Sequence, residues 1–157
     1  MTRKNTGFAL VEILIVVIIL GILAAIVIPQ FTEASNDARV SALVSDLQTA
    51  RSQIELFKVQ HLDQYPGSVN GAAIPSGAAL VAALTGKTNN TGAIDAAGTL
   101  GPYLGKFPAN PFSVSGGNTV ELVTGADPVV QSGNTVGWWF NTDTTTFGIN
   151  STDYIPR

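Results

Sequence analysis

A few polar residues open the chain, and an apolar run follows from Phe8 to Ile28, broken by the single charge of Glu12. These 21 residues predict a helix about 30 Å long, which is enough to cross the hydrocarbon core of a bilayer. A carboxylate one turn into such a helix costs on the order of a few kcal/mol in lipid. We therefore expect Glu12 to meet a partner in another state of the protein. The basic pair Arg3-Lys4 predicts that the amino end stays in the cytoplasm.

Beyond Phe31 the pattern becomes amphipathic, with apolar residues recurring every three or four positions on one helical face. The members of this apolar stripe are Leu43, Leu47, Ala50, Ile54 and Phe57. The helix is predicted to continue to Gln64 and to end at Tyr65-Pro66-Gly67. A continuous helix from Phe8 would be about 85 Å long, so its first half must lie in something other than its own domain.

After the long helix, turn-forming residues become frequent and shorter elements are predicted. Ser76–Thr85 is predicted as a short helix, capped by Ser76 and stopped by Gly86. Lys87–Leu100 is predicted to be a polar loop, and the three prolines of Gly101–Phe112 keep that segment extended.

The last third of the chain is predicted to form strands, because β-branched and aromatic runs alternate with turn residues. The four predicted strands are Thr119–Thr124, Pro128–Gln131, Thr135–Asn141 and Thr146–Asn150. Short connections predict an antiparallel meander with one face on the apolar stripe. The predicted fold is α+β, a ladle in which a long helix packs on a small antiparallel sheet. Trp138 and Trp139 point to opposite faces of that sheet; one is expected to pack on the helix, and partial exposure of the other stays open.

The residues Gly7-Phe8-Ala9-Leu10-Val11-Glu12 resemble the processing site of type IV prepilins and type II secretion pseudopilins. The resemblance implies that residues 1–7 are a leader, removed after Gly7 by a prepilin peptidase that also methylates the new amino terminus at Phe8. It implies that residues 8–30 form the membrane and filament-core helix. Residues 31–157 would then form a head outside the cytoplasmic membrane.

The same resemblance implies a homo-oligomeric helical filament, in which Glu12 pairs with the amino terminus of Phe8 on a neighbouring subunit. Before assembly the subunit would lie in inner-membrane lipid, and an assembly platform in that membrane would extract it. Gly21 and Pro29 match the ends of a helical segment that can melt in type IV pilins. Independently of any family, glycine weakens a helix and proline removes a backbone hydrogen bond, so we expect a kink at Pro29.

Charge and composition narrow the possible functions. The formal net charge is −3, and it becomes −5 when the leader's two basic residues are removed. The remaining basic residues are scattered, so nucleic acid binding by this subunit alone is not expected. The chain contains no cysteine, and it therefore departs from the many type IV pilins that close a C-terminal loop with a disulfide.

Catalytic and metal sites find little support in the sequence. Gly86-Lys87-Thr88 lacks the earlier glycine of a phosphate-binding loop, and we interpret it as a helix end. His61 is the only histidine; we expect it on the last turn of the long helix, where it suits the helix dipole, and we predict no enzyme. Major pseudopilins are known for a calcium ion near their C-terminal loop. Here that loop offers two acids, Asp143 and Asp153, and we favour turn residues over a calcium site, which stays open.

Three functional hypotheses remain. The first is a filament subunit, either a type IV pilin or a type II secretion major pseudopilin. The absent cysteines and the Tyr103–Pro111 segment favour the pseudopilin, whereas the sparse acidic loop and long loops favour the pilin. The second is a minor or tip pilin or an adhesin, and the third is a signal-anchored binding domain.

Overall fold

The computed structural model of the protein describes residues 6–127 and 135–151, with side chains from residue 10 onward. The chain divides into two compact units, Met1–Val40 and Ser41–Arg157. Its helices and strands, in chain order, are α1 (Thr6–Gln60), α2 (Gly77–Thr85), β1 (Val120–Val123), β2 (Trp138–Asn141) and β3 (Phe147–Ile149). The predicted strand at Pro128–Gln131 lies outside the described residues.

Helix α1 ends at Gln60, a few residues before the predicted end at Gln64. The chain reverses just after it, because Leu62 and Asp63 adopt positive φ angles of 54° and 65°. The backbone N–H of Asp63 donates to the carbonyl of Lys58 at 2.9 Å, which satisfies one of the free carbonyls at the helix end. The prediction missed this reversal because neither Leu62 nor Asp63 is a glycine.

The apolar stripe of α1 forms the core of the second unit, as predicted. Each of its five residues is at most 3% exposed. They belong to one cluster with the side chains of α2 and the sheet, including Leu80, Leu84, Trp138 and Phe140. Arg51 adds a polar tie at the edge of this core, since its Nε donates to the carbonyl oxygen of Phe147 at 2.9 Å. The α+β prediction, with a helix packed on a small sheet, is confirmed.

The sheet is mixed, with the order β1-β2-β3, so the predicted antiparallel meander is wrong. Strand β1 pairs with β2 in parallel, Val120 opposite Trp138, and β2 pairs with β3 antiparallel, Phe140 opposite Phe147. A parallel pair needs a crossover of about a dozen residues, and the stretch between Val123 and Trp138 is long enough to provide one. Only the β2–β3 pair keeps the short connection that the meander required.

Both tryptophans of β2 are buried, so the partial exposure left open for one of them does not occur. Trp138 is fully buried in the core and stacks on Phe147 with ring centroids 5.5 Å apart. Trp139 lies on the other face of the sheet, is 5% exposed, and donates from Nε1 to the carbonyl of Ile149 at 2.9 Å. Gly148 lies opposite Trp139, and a Cβ there would overlap the indole ring. The missing side chain on β3 therefore makes room for the indole ring.

Helix α2 forms where the sequence predicts it, and both α2 and the proline segment contact the sheet. The N-H of Ala79 donates to the Ser76 cap at 3.2 Å, and α2 ends before Gly86. Gly77 lies against β1 so closely that a Cβ would overlap the carbonyl oxygen of Val120. Gly101–Phe112 contains neither helix nor strand. Its Asn110 donates from Nδ2 to the carbonyls of Gly137 and Asn150, both at 3.0 Å, which fastens the segment to the ends of β2 and β3.

Candidate functional site

The amino-terminal part of α1 exposes every large apolar side chain between Leu10 and Ile28. These fifteen side chains are between 41% and 71% exposed. In the described part of the chain, one helix is long and apolar enough to cross a membrane by length and composition, and this stretch makes it so. Leaving so many aliphatic side chains in water costs on the order of tens of kcal/mol. This surface therefore requires lipid or protein to cover it.

Glu12 lies on the same stretch of α1 and is exposed. Its carboxylate has no hydrogen bond or ion pair with another described residue. The helix already includes Gly7 and Phe8, and it places Phe8 about 6 Å along the axis from Glu12, one turn earlier. An unpaired carboxylate surrounded by aliphatic side chains is the one group on this surface that can discriminate between positions of a partner.

The two helix-weakening residues do not interrupt α1, which is continuous through both. Pro29 has no N–H, so the carbonyl of Ala25 loses its usual helical partner. One turn later, Thr32 donates from Oγ1 to the carbonyl of Ile28 at 3.2 Å. Gly21 is surrounded by open space. The kink at Pro29 and the melting of the Gly21–Pro29 segment stay predictions.

His61 was expected on the last turn of the long helix, and it lies in the core just beyond the end of α1. It follows α1 directly, is fully buried, and stacks on Phe57 with ring centroids 3.8 Å apart. Its Nδ1 lies 2.8 Å from the carbonyl oxygen of Phe57, and its Nε2 lies 3.0 Å from Oγ1 of Thr88. Because a carbonyl only accepts, Nδ1 carries a proton and Nε2 accepts from the Thr88 hydroxyl when the ring is neutral. Both nitrogens are occupied, so the ring joins the helix end to the loop that follows α2.

The second unit carries an open groove of about 490 Å³ on the side of the sheet next to the helix end. Tyr65, Ile74, Leu122 and Phe140 form its apolar lining, with threonines at its margin. The groove also carries the polar side chains of Asp63, Gln64 and Ser68, and His61 is not among its lining residues. Among the described residues, no three histidine, aspartate or glutamate side chains gather in a group that could hold a metal ion.

The loop after β2 brings Asn141 and Asp143 together with an acid that the sequence did not single out, Asp127. Asn141 is fully buried and donates from Nδ2 to Oδ1 of Asp127 at 2.7 Å. Oδ2 of Asp143 accepts from the N–H of Gly125 at 2.8 Å. Asp153, the other acid of the predicted loop, lies outside the described residues. The sequence signal for Asp127 was its position in the turn that follows β1, next to Gly125. Its partner, Asn141, is distant in sequence, so the contact itself was not predictable.

Hydrogen bonds favour the ionised form of Asp127. Partial desolvation alone would raise the pKa of Asp127. Hydrogen bonds from Thr144, Thr146 and Asn141 outweigh it and lower the pKa below the usual value of 3.8. The carboxylate is thus held ionised by neutral donors.

Comparison with known proteins turns on the amino-terminal motif. Residues 2–28 match the model of the prokaryotic N-terminal methylation motif. The chain is 36% identical to a type II secretion system core protein G of Pseudomonas aeruginosa over 69 residues, 44% of this chain and 48% of that protein. The chain is therefore similar to type II secretion core protein G.

The likeness to other core G proteins extends beyond the amino-terminal helix. The protein of that name from Klebsiella pneumoniae is 27% identical over 149 residues, 87% of this chain and 96% of the relative. The Escherichia coli protein is 28% identical over 122 residues, 78% of this chain and 74% of the relative. The match to the Pseudomonas aeruginosa protein spans about half the length of that relative. No solved structure matches the chain.

Proposed function

We propose that this chain is the structural, non-enzymatic subunit of a type IV pilus-like helical filament, of the major pseudopilin kind used in type II secretion. The observation that carries the proposal is that Glu12, which has no hydrogen bond or ion pair with another described residue, lies among the exposed large apolar side chains of Leu10–Ile28. The methylation motif and the core G relatives support the same function.

Processing is the first step of this proposal. A prepilin peptidase cuts after Gly7, removes residues 1–7 and methylates the amine of Phe8. The cut leaves a mature chain that begins with the apolar helix and carries Glu12 as its fifth residue. Glycine at the cut site lets the backbone approach the enzyme closely, whereas a side chain there obstructs it.

The processed subunit waits in the inner membrane as a single-pass protein with its amino terminus in the cytoplasm. Residues 8–30 lie in lipid, and the head, residues 31–157, lies in the periplasm. The assembly platform extracts the subunit into the filament, where the exposed surface of Leu10–Ile28 packs on other copies. Burial against lipid is thereby exchanged for burial against protein, so the machinery needs to supply only the difference.

Glu12 sets the register of the subunits in this mechanism. Its carboxylate pairs with the amine of Phe8 on a neighbouring copy. Apolar surfaces alone would tolerate sliding, but a misplaced charge in an apolar core costs several kcal/mol, about 3–5 when one partner is missing. The ion pair therefore selects one position among many that bury similar area.

Intact mass measurement of the membrane-extracted protein tests the proposal. We expect a chain that lacks Met1–Gly7 and carries one methyl group on Phe8. Gly7→Val should leave the full-length chain. Gly105→Val is the matched control, because Gly105 has open space around it and lies far along the chain.

Electron microscopy of sheared surface material, with antibody against the head, then separates the alternatives. Labelling along the whole filament supports the major subunit. Labelling only at filament ends indicates a minor or tip subunit. A mature chain that starts at any residue other than Phe8, or is never cut, indicates a signal-anchored domain and overturns the proposal.

A further inference from the structure

Asn141, at the end of β2, is the centre of the loop that closes the sheet. Its Oδ1 accepts from the backbone N–H groups of Asp143 and Thr144, at 2.9 and 3.3 Å. Its Nδ2 donates to the carbonyl of Gly125 at 2.8 Å and to Oδ1 of Asp127 at 2.7 Å. All four polar positions of the amide are therefore used, and the side chain is fully buried.

The backbone partners decide which end of the Asn141 amide faces which way. Backbone N–H groups only donate, so the end that faces Asp143 and Thr144 must be the oxygen. A carbonyl only accepts, so the end that faces Gly125 must be the nitrogen. It follows that the Asn141 amide directs its N–H groups at the carbonyl oxygen of Gly125 and at the carboxylate of Asp127. Without these hydrogens, the two oxygens would be free to bind a cation.

The two carboxylates beside Asn141, those of Asp127 and Asp143, already accept hydrogen bonds from other groups of the protein. Oδ2 of Asp127 accepts from Oγ1 of Thr144 at 2.7 Å, and Oδ2 of Asp143 accepts from the N–H of Gly125 at 2.8 Å. The start of the connection between β1 and β2 is tied in this way to the turn that follows β2, because Gly125 and Asp127 come after β1 and Asn141 ends β2.

Calcium takes six to eight oxygen ligands, with several carboxylates in its tighter sites. The family resemblance implies such an ion near this loop, but the described residues do not fit it. Amide hydrogens of Asn141 occupy the space between the Gly125 carbonyl and Asp127, and a cation there would meet a donor. We infer that this chain closes its C-terminal loop through Asn141 and Asp127 in place of a calcium ion, and that the stability of the head is independent of calcium.

Thermal unfolding of the full chain in detergent tests the inference, with tryptophan fluorescence as the readout. Both tryptophans of the chain belong to β2, next to Asn141. We expect the same Tm in millimolar calcium chloride and in excess chelator. A rise in Tm with calcium would overturn the inference, and this measurement requires no variant.

Asn141→Asp is the decisive substitution because it keeps the shape and replaces the amide N–H groups with oxygen. It brings two carboxylates together and leaves the Gly125 carbonyl without its donor. We expect a lower Tm in chelator, and a partial recovery in calcium because the amide no longer keeps the ion out. Asn118→Asp makes the same charge change at an exposed position and should leave the Tm within a degree or two of the parent. If Asn141→Asp melts like Asn118→Asp in chelator, Asn141 does not close the loop.

Neither result depends on the filament, since the measurement is made on the dispersed subunit. A failure of the proposed function would appear in the mass and microscopy experiments and would leave the melting data unchanged.

Discussion

Replacing Leu47 with alanine is the sharpest test of the packing between α1 and the sheet. Leu47 is 1% exposed and belongs to the main core cluster. Removing a leucine side chain from such a position costs about 2–5 kcal/mol, from lost transfer energy and from the cavity left behind. Leu56 lies on the same helix, away from the apolar stripe, and is 42% exposed. The same substitution there should cost about 0.5 kcal/mol, as for other surface positions.

These free energies correspond to separable melting temperatures. A loss of 1 kcal/mol lowers the Tm by about 4–8 °C in a domain of 60–100 residues and by about 2–4 °C in one of 150–250 residues. The unit Ser41–Arg157 lies between those sizes. At about 4 °C per kcal/mol, Leu47→Ala should lower the Tm by about 8–20 °C and Leu56→Ala by about 2 °C.

The assay is tryptophan fluorescence of the full chain in detergent during a thermal scan. Trp138 lies in the same cluster as Leu47, so its environment changes when that core opens. The apolar stretch Leu10–Ile28 contains no tryptophan and does not contribute to the signal. If Leu47→Ala and Leu56→Ala lower the Tm equally, the stripe does not face the core, and the helix is rotated from the position described here.

Three further predictions concern the filament, the sheet and the acid limit of stability. Glu12→Leu should insert in the membrane at least as well as the parent, because it removes an intramembrane charge, and membrane fractionation measures this. It should fail to polymerise, because the amine of Phe8 on the neighbouring subunit loses its partner, and filament counts measure this. Gly148→Ala should lower the free energy of unfolding by about 1–3 kcal/mol, and with it the Tm, because the added methyl group overlaps the ring of Trp139. The lowered pKa of Asp127 stabilises the folded state fully above the ordinary pKa of 3.8, and this contribution is lost as the pH falls through the lower folded pKa. Asp127→Asn should therefore flatten the acid limb of a plot of Tm against pH.

For each of these predictions, one specific result would contradict it. Normal filaments built wholly from the Glu12→Leu subunit would show that the charge does not set the register. Gly105→Ala, at an open position, is the control for Gly148→Ala, and equal Tm values for the two would mean that the Trp139 ring can move aside. An unchanged acid limb in Asp127→Asn would assign the acid sensitivity to other carboxyl groups.

Features that depend on near neighbours in the chain were predictable from the sequence. The three-and-four spacing from Leu43 to Phe57 identified the core face of α1, because a helix repeats every 3.6 residues whatever it packs against. Ser76 and Gly86 marked the ends of α2 for a similarly local reason, since caps serve the free groups of the first and last turns. The apolar run with its single carboxylate predicted a surface that needs a partner, and the exposure of its side chains in α1 agrees with that prediction.

Features that depend on residues distant in sequence were decided by the tertiary structure. The parallel pairing of β1 and β2 depends on the course of a long connection, which strand propensity does not specify. Trp139 is buried because Gly148 happens to lie opposite it, and His61 is buried because Thr88 meets its ring. Asn141 meets Asp127 only after the sheet has formed. For Trp139, His61 and Asn141, a residue distant in sequence accommodates or hydrogen-bonds one buried side chain, and no pattern within either segment carries that information.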